Sequence, residues 1–201
     1  HLEEPGAPDE LAESEALWRL EVLNKRHPRL RVVMEHISTK AGIELVKQLP
    51  GNIAGTLTIQ HALLTTEQAW SSPHLLCKPI AKSWGNREAV LEAALSVNSK
   101  FFMGNDTAGH PRELKEGPNP PFGIWNAPTA FPLWVHLFEQ HGATVEQLQF
   151  FASEAGARFY NLHRSENTPL LMARKSWIVP ESYGDNIVVP LFAGQEMQWQ
   201  T

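Results

Sequence analysis

Three side chains able to bind a metal or move a proton each follow a short apolar run in the sequence. His36 follows Arg31 to Glu35, His61 follows Ile53 to Gln60, and Asp106 follows Lys100 to Met103 by way of Gly104 and Asn105. Imidazole nitrogen and carboxylate oxygen are the donors that zinc accepts. If each run is a strand, and the strands lie parallel in a barrel, their C-terminal ends share one face and the three side chains converge there. His1 would add a third imidazole if it closes a preceding strand. Glu35, next to His36, should point to the other face, because side chains alternate along a strand. A histidine after a strand is equally what a capping or hydrogen-bonded residue looks like, and Gly-Asn-Asp is also a common turn. Spacing alone leaves both readings open. His27, His136, His141 and His163 follow no such run and read as surface or packing residues.

The elements that must position these residues are legible in outline. Asp9 to about Arg26 reads as an amphipathic helix with Leu11, Leu17, Leu20, Val22 and Leu23 as its apolar stripe, started by Asp9 and Glu10 and stopped at Pro28. The run 31–35 is a strand. Ser38 or Thr39 can cap a helix to about Gln48, which Pro50-Gly51 ends. A second strand over 53–60 precedes a loop around 71–83. Asn86 caps an Ala-rich helix to about Val97, and 100–103 is a third strand. The Pro- and Gly-rich stretch 107–126 is a long loop, and long loops are often functional. Pro128 starts a helix to about His141, and Thr144 with Gln147 forms a capping box for the next. The tail from Thr168 to Trp199 alternates in places and reads as short strands. Helices alternating with strands imply parallel strands with helical crossovers, an α/β fold. Three or four such units make about half of an eight-unit barrel, which typically takes about 250 residues. Half a barrel leaves two open edges, so another half is expected to cover them.

Composition narrows the function classes. The chain has 201 residues, enough for one domain, and 42% apolar residues with seven Trp supply a core. Its net charge is −5 and no basic stretch stands out, which argues against nucleic acid or a membrane surface as partner. Cys77 is the only cysteine, so no intrachain disulfide can form, and a reducing, cytoplasmic setting is expected. No apolar run reaches the length of a membrane span. The chain opens on His-Leu-Glu-Glu-Pro with no Met, signal or transit sequence. A processed product, a split-gene product and part of a longer chain would all open so.

Several segments together resemble one enzyme family. Glu35-His36-Ile37-Ser38-Thr39-Lys40 looks like the "EHI(S/T)TK" signature of single-domain, type II dihydroorotases of the amidohydrolase superfamily. Thr56 to His61 is similar to the family's "ATITPQH" strand, with Ile59 where proline is usual. Pro73 to Pro79 resembles "PHxYCxP", Gly104 to His110 resembles "GTDSAPH", and Asn126 to Ala130 matches "NAPTA". Phe159 to Leu162 and Val189 to Gly194 continue the likeness in family order. The resemblance implies the C-terminal portion of a (β/α)8 barrel, strands 5 or 6 to 8. The barrel units are expected over about 1–165 and a C-terminal extension over about 166–201.

The resemblance also implies roles. His1, in a segment similar to the family's "HGE", and His36 match two histidines that ligate one zinc. Asp106 matches the aspartate that ligates a second zinc and serves as general acid/base. His110 matches a ligand of the substrate carboxylate. Lys78 and Phe122 fall where the family contacts the pyrimidine ring mainly through its backbone. The implied reaction is the reversible cyclisation of N-carbamoyl-L-aspartate to L-dihydroorotate in pyrimidine biosynthesis. Two Zn2+ ions per complete site lower the pKa of the attacking water and polarise the carbonyl. Asp106 would carry the proton to the leaving ring nitrogen.

Parts of the family's site are not in this chain. It contains no His-x-His pair, and no lysine precedes His1 to serve as the carboxylated bridge. The expected partner is the N-terminal half of the barrel, in the same chain or as a second one, and the family also implies a homodimer. The isolated chain is expected to be inactive. The alternative function is a non-catalytic, dihydroorotase-like assembly subunit. A hydantoinase-like amidohydrolase is a third reading, which the "NAPTA" and "EHISTK" matches oppose.

Overall fold

The computed structural model describes residues 1–163, 172–185 and 187–200. β-branched and aromatic residues build three short strands, β1 (Val32–Met34), β2 (Ile53–Leu57) and β3 (Phe101–Met103). They pair in parallel in the order β1-β2-β3, with Val33 opposite Ala54 and Thr56 opposite Phe102. Helix α1 (Ala12–Arg26) precedes β1, α2 (Lys40–Gln48) joins β1 to β2, and α5 (Trp84–Leu95) leads into β3. These are the parallel strands and helical crossovers that the alternation of runs predicts.

Strand pleating divides the sheet into two faces. Met34, Ile53, Leu57 and Phe101 join the main core, with Ile43 and Val46 of α2 and Val90 and Leu91 of α5. Ala54 and Phe102 point to the opposite face, where they meet Ala155, Val33, Phe150 and Phe159. Three of these, Phe150, Ala155 and Phe159, belong to the last helical stretch, α8 (Val145–Gln149), a π-turn over Phe150–Glu154 and α9 (Ala155–Tyr160). In the main core, Phe151 meets Trp134 of α7 (Ala130–Gln140) edge to face and stacks on Phe138 of the same helix. A two-stranded antiparallel ribbon, β4 (Ala173–Ile178) with β5 (Glu196–Gln200), packs on α7. There Trp199 donates to Glu139, and Arg174 pairs with the same carboxylate.

Several local expectations change. Helix α1 begins at Ala12, and its buried stripe is Ala12, Glu13, Ala16 and Leu20, while Leu11 is half exposed. A buried glutamate is what hydropathy could not show. The second strand ends at Leu57, and Ile59–Leu63 is a short helix, α3, so His61 lies one turn beyond a strand rather than at its end. The stretch after it folds as α4 (Thr66–Trp70), a 3-10 turn at Pro73–Leu75, and further on α6 (Arg112–Lys115), pieces too short for a periodicity to mark. Asn86 lies inside α5, which Ser83 precedes; its Oδ1 instead accepts from Lys40 N, at the start of α2. Thr39 and the Thr144–Gln147 box cap their helices as the sequence predicts. The expected boundary near 165 and the tail's first residues, 168–171, lie outside the described residues. No described helix is long and apolar enough to cross a membrane.

Candidate active site

His36 comes just after β1, in a turn, with φ of 44°. That left-handed backbone is unusual for a side chain with a Cβ and tends to be held only where surroundings over-determine it. Here they do. Its N–H donates to Thr56 Oγ1 at 2.7 Å. Two residues on, Ser38 and Thr39 give Glu13 four hydrogen bonds through their backbone N–H and hydroxyl groups. Glu13 comes from α1 and is fully buried, so α1 anchors the turn that carries His36.

The turn aims His36 at His1. His36 Nε2 lies 3.2 Å from His1 Nδ1, and the rings meet edge to face. His1 Nε2 donates to Glu3 Oε2 at 2.9 Å, which leaves Nδ1 with its lone pair toward His36. Burial, and then the charge His61 would carry, pull the His36 pKa down to about 4, so its ring is neutral and able to ligate at neutral pH. Its Nδ1 is buried without a hydrogen-bond partner.

Asp106 also has a left-handed backbone, φ 44°, beyond β3. It is exposed. Desolvation of its carboxyl, and then the Glu35 carboxylate, push its pKa up. Strict alternation would have turned Glu35 away from the site. The structure corrects this: β1 ends at Met34, and Glu35 lies in the turn, where it accepts from Thr56 Oγ1 at 2.6 Å and acts on Asp106. One threonine therefore ties the backbone of His36 to the carboxylate that faces Asp106.

The remaining candidates form a second group. His110 Nε2 donates to Phe122 O at 3.0 Å. Lys78 pairs with Asp9 Oδ1, and its ammonium lies 4.7 Å from the centre of the Phe122 ring. The side chains of Lys78 and Phe122 thus occupy each other.

His61 is not a ligand in this arrangement. It is buried, its Nε2 donates to Pro79 O at 2.8 Å, and its Nδ1 then accepts from Thr58 at 2.7 Å. Burial lowers its pKa to about 4, and both ring nitrogens are satisfied in the neutral form. This is the hydrogen-bonded histidine that the sequence left as one of two readings. Sequence reasoning missed Glu3, Glu13 and Thr56, which orient His1 and His36. A carboxylate two residues from a candidate histidine, and a buried-face glutamate in α1, were the available signals.

Two imidazole nitrogens on one tetrahedral zinc, each about 2.0–2.1 Å from it, lie about 3.3 Å apart. The 3.2 Å between His1 and His36 fits that spacing, and Glu3 on the far nitrogen of His1 matches the carboxylate that commonly orients a metal-bound histidine. The pair fits half of a zinc shell. Among the described residues no group of three or more His, Cys, Asp or Glu side chains is placed to hold a metal.

Known proteins resemble both sequence and fold. The dihydroorotase of Alkalilimnicola ehrlichii is 38% identical over 186 residues, covering 90% of this chain and 54% of its own length. That of Coxiella burnetii is 40% identical over 178 residues, 86% of this chain and 51% of its own. A 2.4 Å crystal structure of Campylobacter jejuni dihydroorotase superposes with a TM-score of 0.90 at 35% identity, covering 99% of this chain and 59% of that one. The chain spans about half the length of the curated relatives it matches, their C-terminal portion. No protein-family model matches. The strands, crossovers and helices described above are therefore part of a (β/α)8 barrel of the amidohydrolase type.

Proposed function

From a chain homologous to the C-terminal half of dihydroorotases, we propose that it supplies half of a dihydroorotase site. The activity is the interconversion of N-carbamoyl-L-aspartate and L-dihydroorotate in pyrimidine biosynthesis. The observation that carries this reading is the His1–His36 pair, two imidazoles held at the spacing of zinc ligands by Glu3, Thr56 and Glu13.

His1 and His36 would hold one zinc, and Asp106 would ligate a second. When bound, the metals supply Lewis-acid polarisation of the ring carbonyl and a water acidic enough to attack near neutral pH. Asp106 would take the proton of the attacking water and deliver it to the ring nitrogen as the C–N bond breaks. In the synthetic direction the same carboxylate takes the proton from the carbamoyl nitrogen. His110 binds the substrate carboxylate, and the backbone at Lys78 and Phe122 receives the ring. The other zinc ligands, and a bridging lysine, would come from an N-terminal barrel half.

Zinc titration of the chain, followed by calorimetry, tests the pair. One zinc should bind with micromolar to millimolar affinity, and His36→Ala should weaken it at least tenfold. Binding that His36→Ala leaves unchanged would remove the pair from the site.

A further inference from the structure

Lys115 is a buried cation with no described carboxylate partner: 3% of its surface is exposed. Its Nζ donates to Gly123 O at 2.8 Å, Pro121 O at 3.0 Å and Leu76 O at 3.3 Å. An ammonium has three donors, and here it meets three acceptors. The acceptors belong to two separate stretches of chain. Leu76 O also accepts from Gly123 N at 2.8 Å, so the backbone and the lysine bind the same two strands of loop together. Between Pro121 and Gly123 lies Phe122, whose own carbonyl is taken by His110. Two residues after Leu76 comes Lys78, whose ammonium rests against the Phe122 ring. Lys115 and His110 line one cleft, with His74, Ala108, Gly123 and Trp125.

An ammonium removed from water with only carbonyls for company is costly, and burial lowers the Lys115 pKa to about 8. A methionine would fill the same space without that cost. What the lysine provides and an apolar residue could not is a fixed direction for three carbonyls.

We infer that Lys115 is a positioning residue: its ammonium clasps the 76–78 and 121–123 segments into one rigid wall, which presents His110, Phe122 and the Lys78 backbone to the substrate. The clasp is a matter of this chain's geometry; its consequence for substrate rests on the dihydroorotase reading above.

Two measurements separate these. In the chain itself, Lys115→Met should speed amide hydrogen exchange at Gly123 at least tenfold, while Lys115→Arg, which keeps charge and donors, restores much of the protection. Unchanged exchange in a folded Lys115→Met protein overturns the clasp. In the complete barrel, Lys115→Met should raise KM for L-dihydroorotate about tenfold and leave kcat within about twofold, with Lys115→Arg in between. If Lys115→Met does not fold, Lys115→Gln, which cannot supply three donors to the three carbonyls, carries both readouts, and Gly123 exchange and KM unchanged from the parent, or equal losses in kcat and KM, overturn the inference. Loosened exchange with an unchanged KM overturns the substrate role. A parent barrel without turnover counts against the dihydroorotase reading, and Gly123 exchange still decides the clasp.

Discussion

Two histidines separated by 25 residues have the same depressed pKa, about 4, both chiefly through burial, yet their ring nitrogens are placed differently. His36 turns Nε2 to His1 and keeps Nδ1 without a partner, whereas His61 has both nitrogens satisfied by Thr58 and Pro79. Each follows an apolar run, so residue type and position could not tell a candidate ligand from a core histidine. The His61 environment makes a prediction with a definite sign. Unfolded, it takes a proton near pH 6.5; folded, it resists until about pH 4. Its contribution to stability is whole above pH 6.5 and is lost as the pH falls toward 4, by on the order of 3 kcal/mol. His61→Gln, which can still donate to Pro79 O, should lose less stability between pH 7 and pH 4.5 than the parent protein in urea unfolding. An equal loss in both would show that His61 does not titrate as its burial requires.

Strands and crossover helices were legible because each carries a run or a period, and the caps at Thr39 and Thr144 because they rest on local chemistry. What stayed hidden are contacts between elements. Asn86 looks like a cap for its own helix but serves α2, and Glu13 looks like a solvated helix residue but anchors the turn after β1. The same holds for Gly104, which passes so close to β2 that a Cβ there would lie 2.8 Å from Thr56 Cβ and 3.1 Å from its Oγ1. Thr56 cannot yield easily, because its hydroxyl holds both the His36 backbone and Glu35. Gly104→Ala should therefore cost about 1–3 kcal/mol by urea unfolding. Gly51→Ala, with nothing within 4 Å of the added carbon, should change stability far less. Equal effects at the two positions would contradict the close β2–β3 approach.

At the scale of the molecule, the described sheet has three strands, so β1 and β3 each have one partner and one free edge. In an eight-stranded barrel those edges pair with further strands, and the residues at the strand ends face a shared cavity. The motifs made this architecture legible, since they run along the chain in the order of the relatives it half covers. They also named His1, His36 and Asp106 together, which no period or composition could do. The central claim is that this chain brings the acid/base and one zinc's histidine pair to a dihydroorotase site. The most direct test is turnover of L-dihydroorotate by the chain joined to a dihydroorotase N-terminal barrel half, with zinc, beside its Asp106→Asn counterpart. The parent assembly should turn over while the chain alone shows little or none, and Asp106→Asn should lose at least a hundredfold in kcat with the zinc at His1 and His36 retained. Undiminished turnover in Asp106→Asn, or full activity from the chain alone, would contradict it.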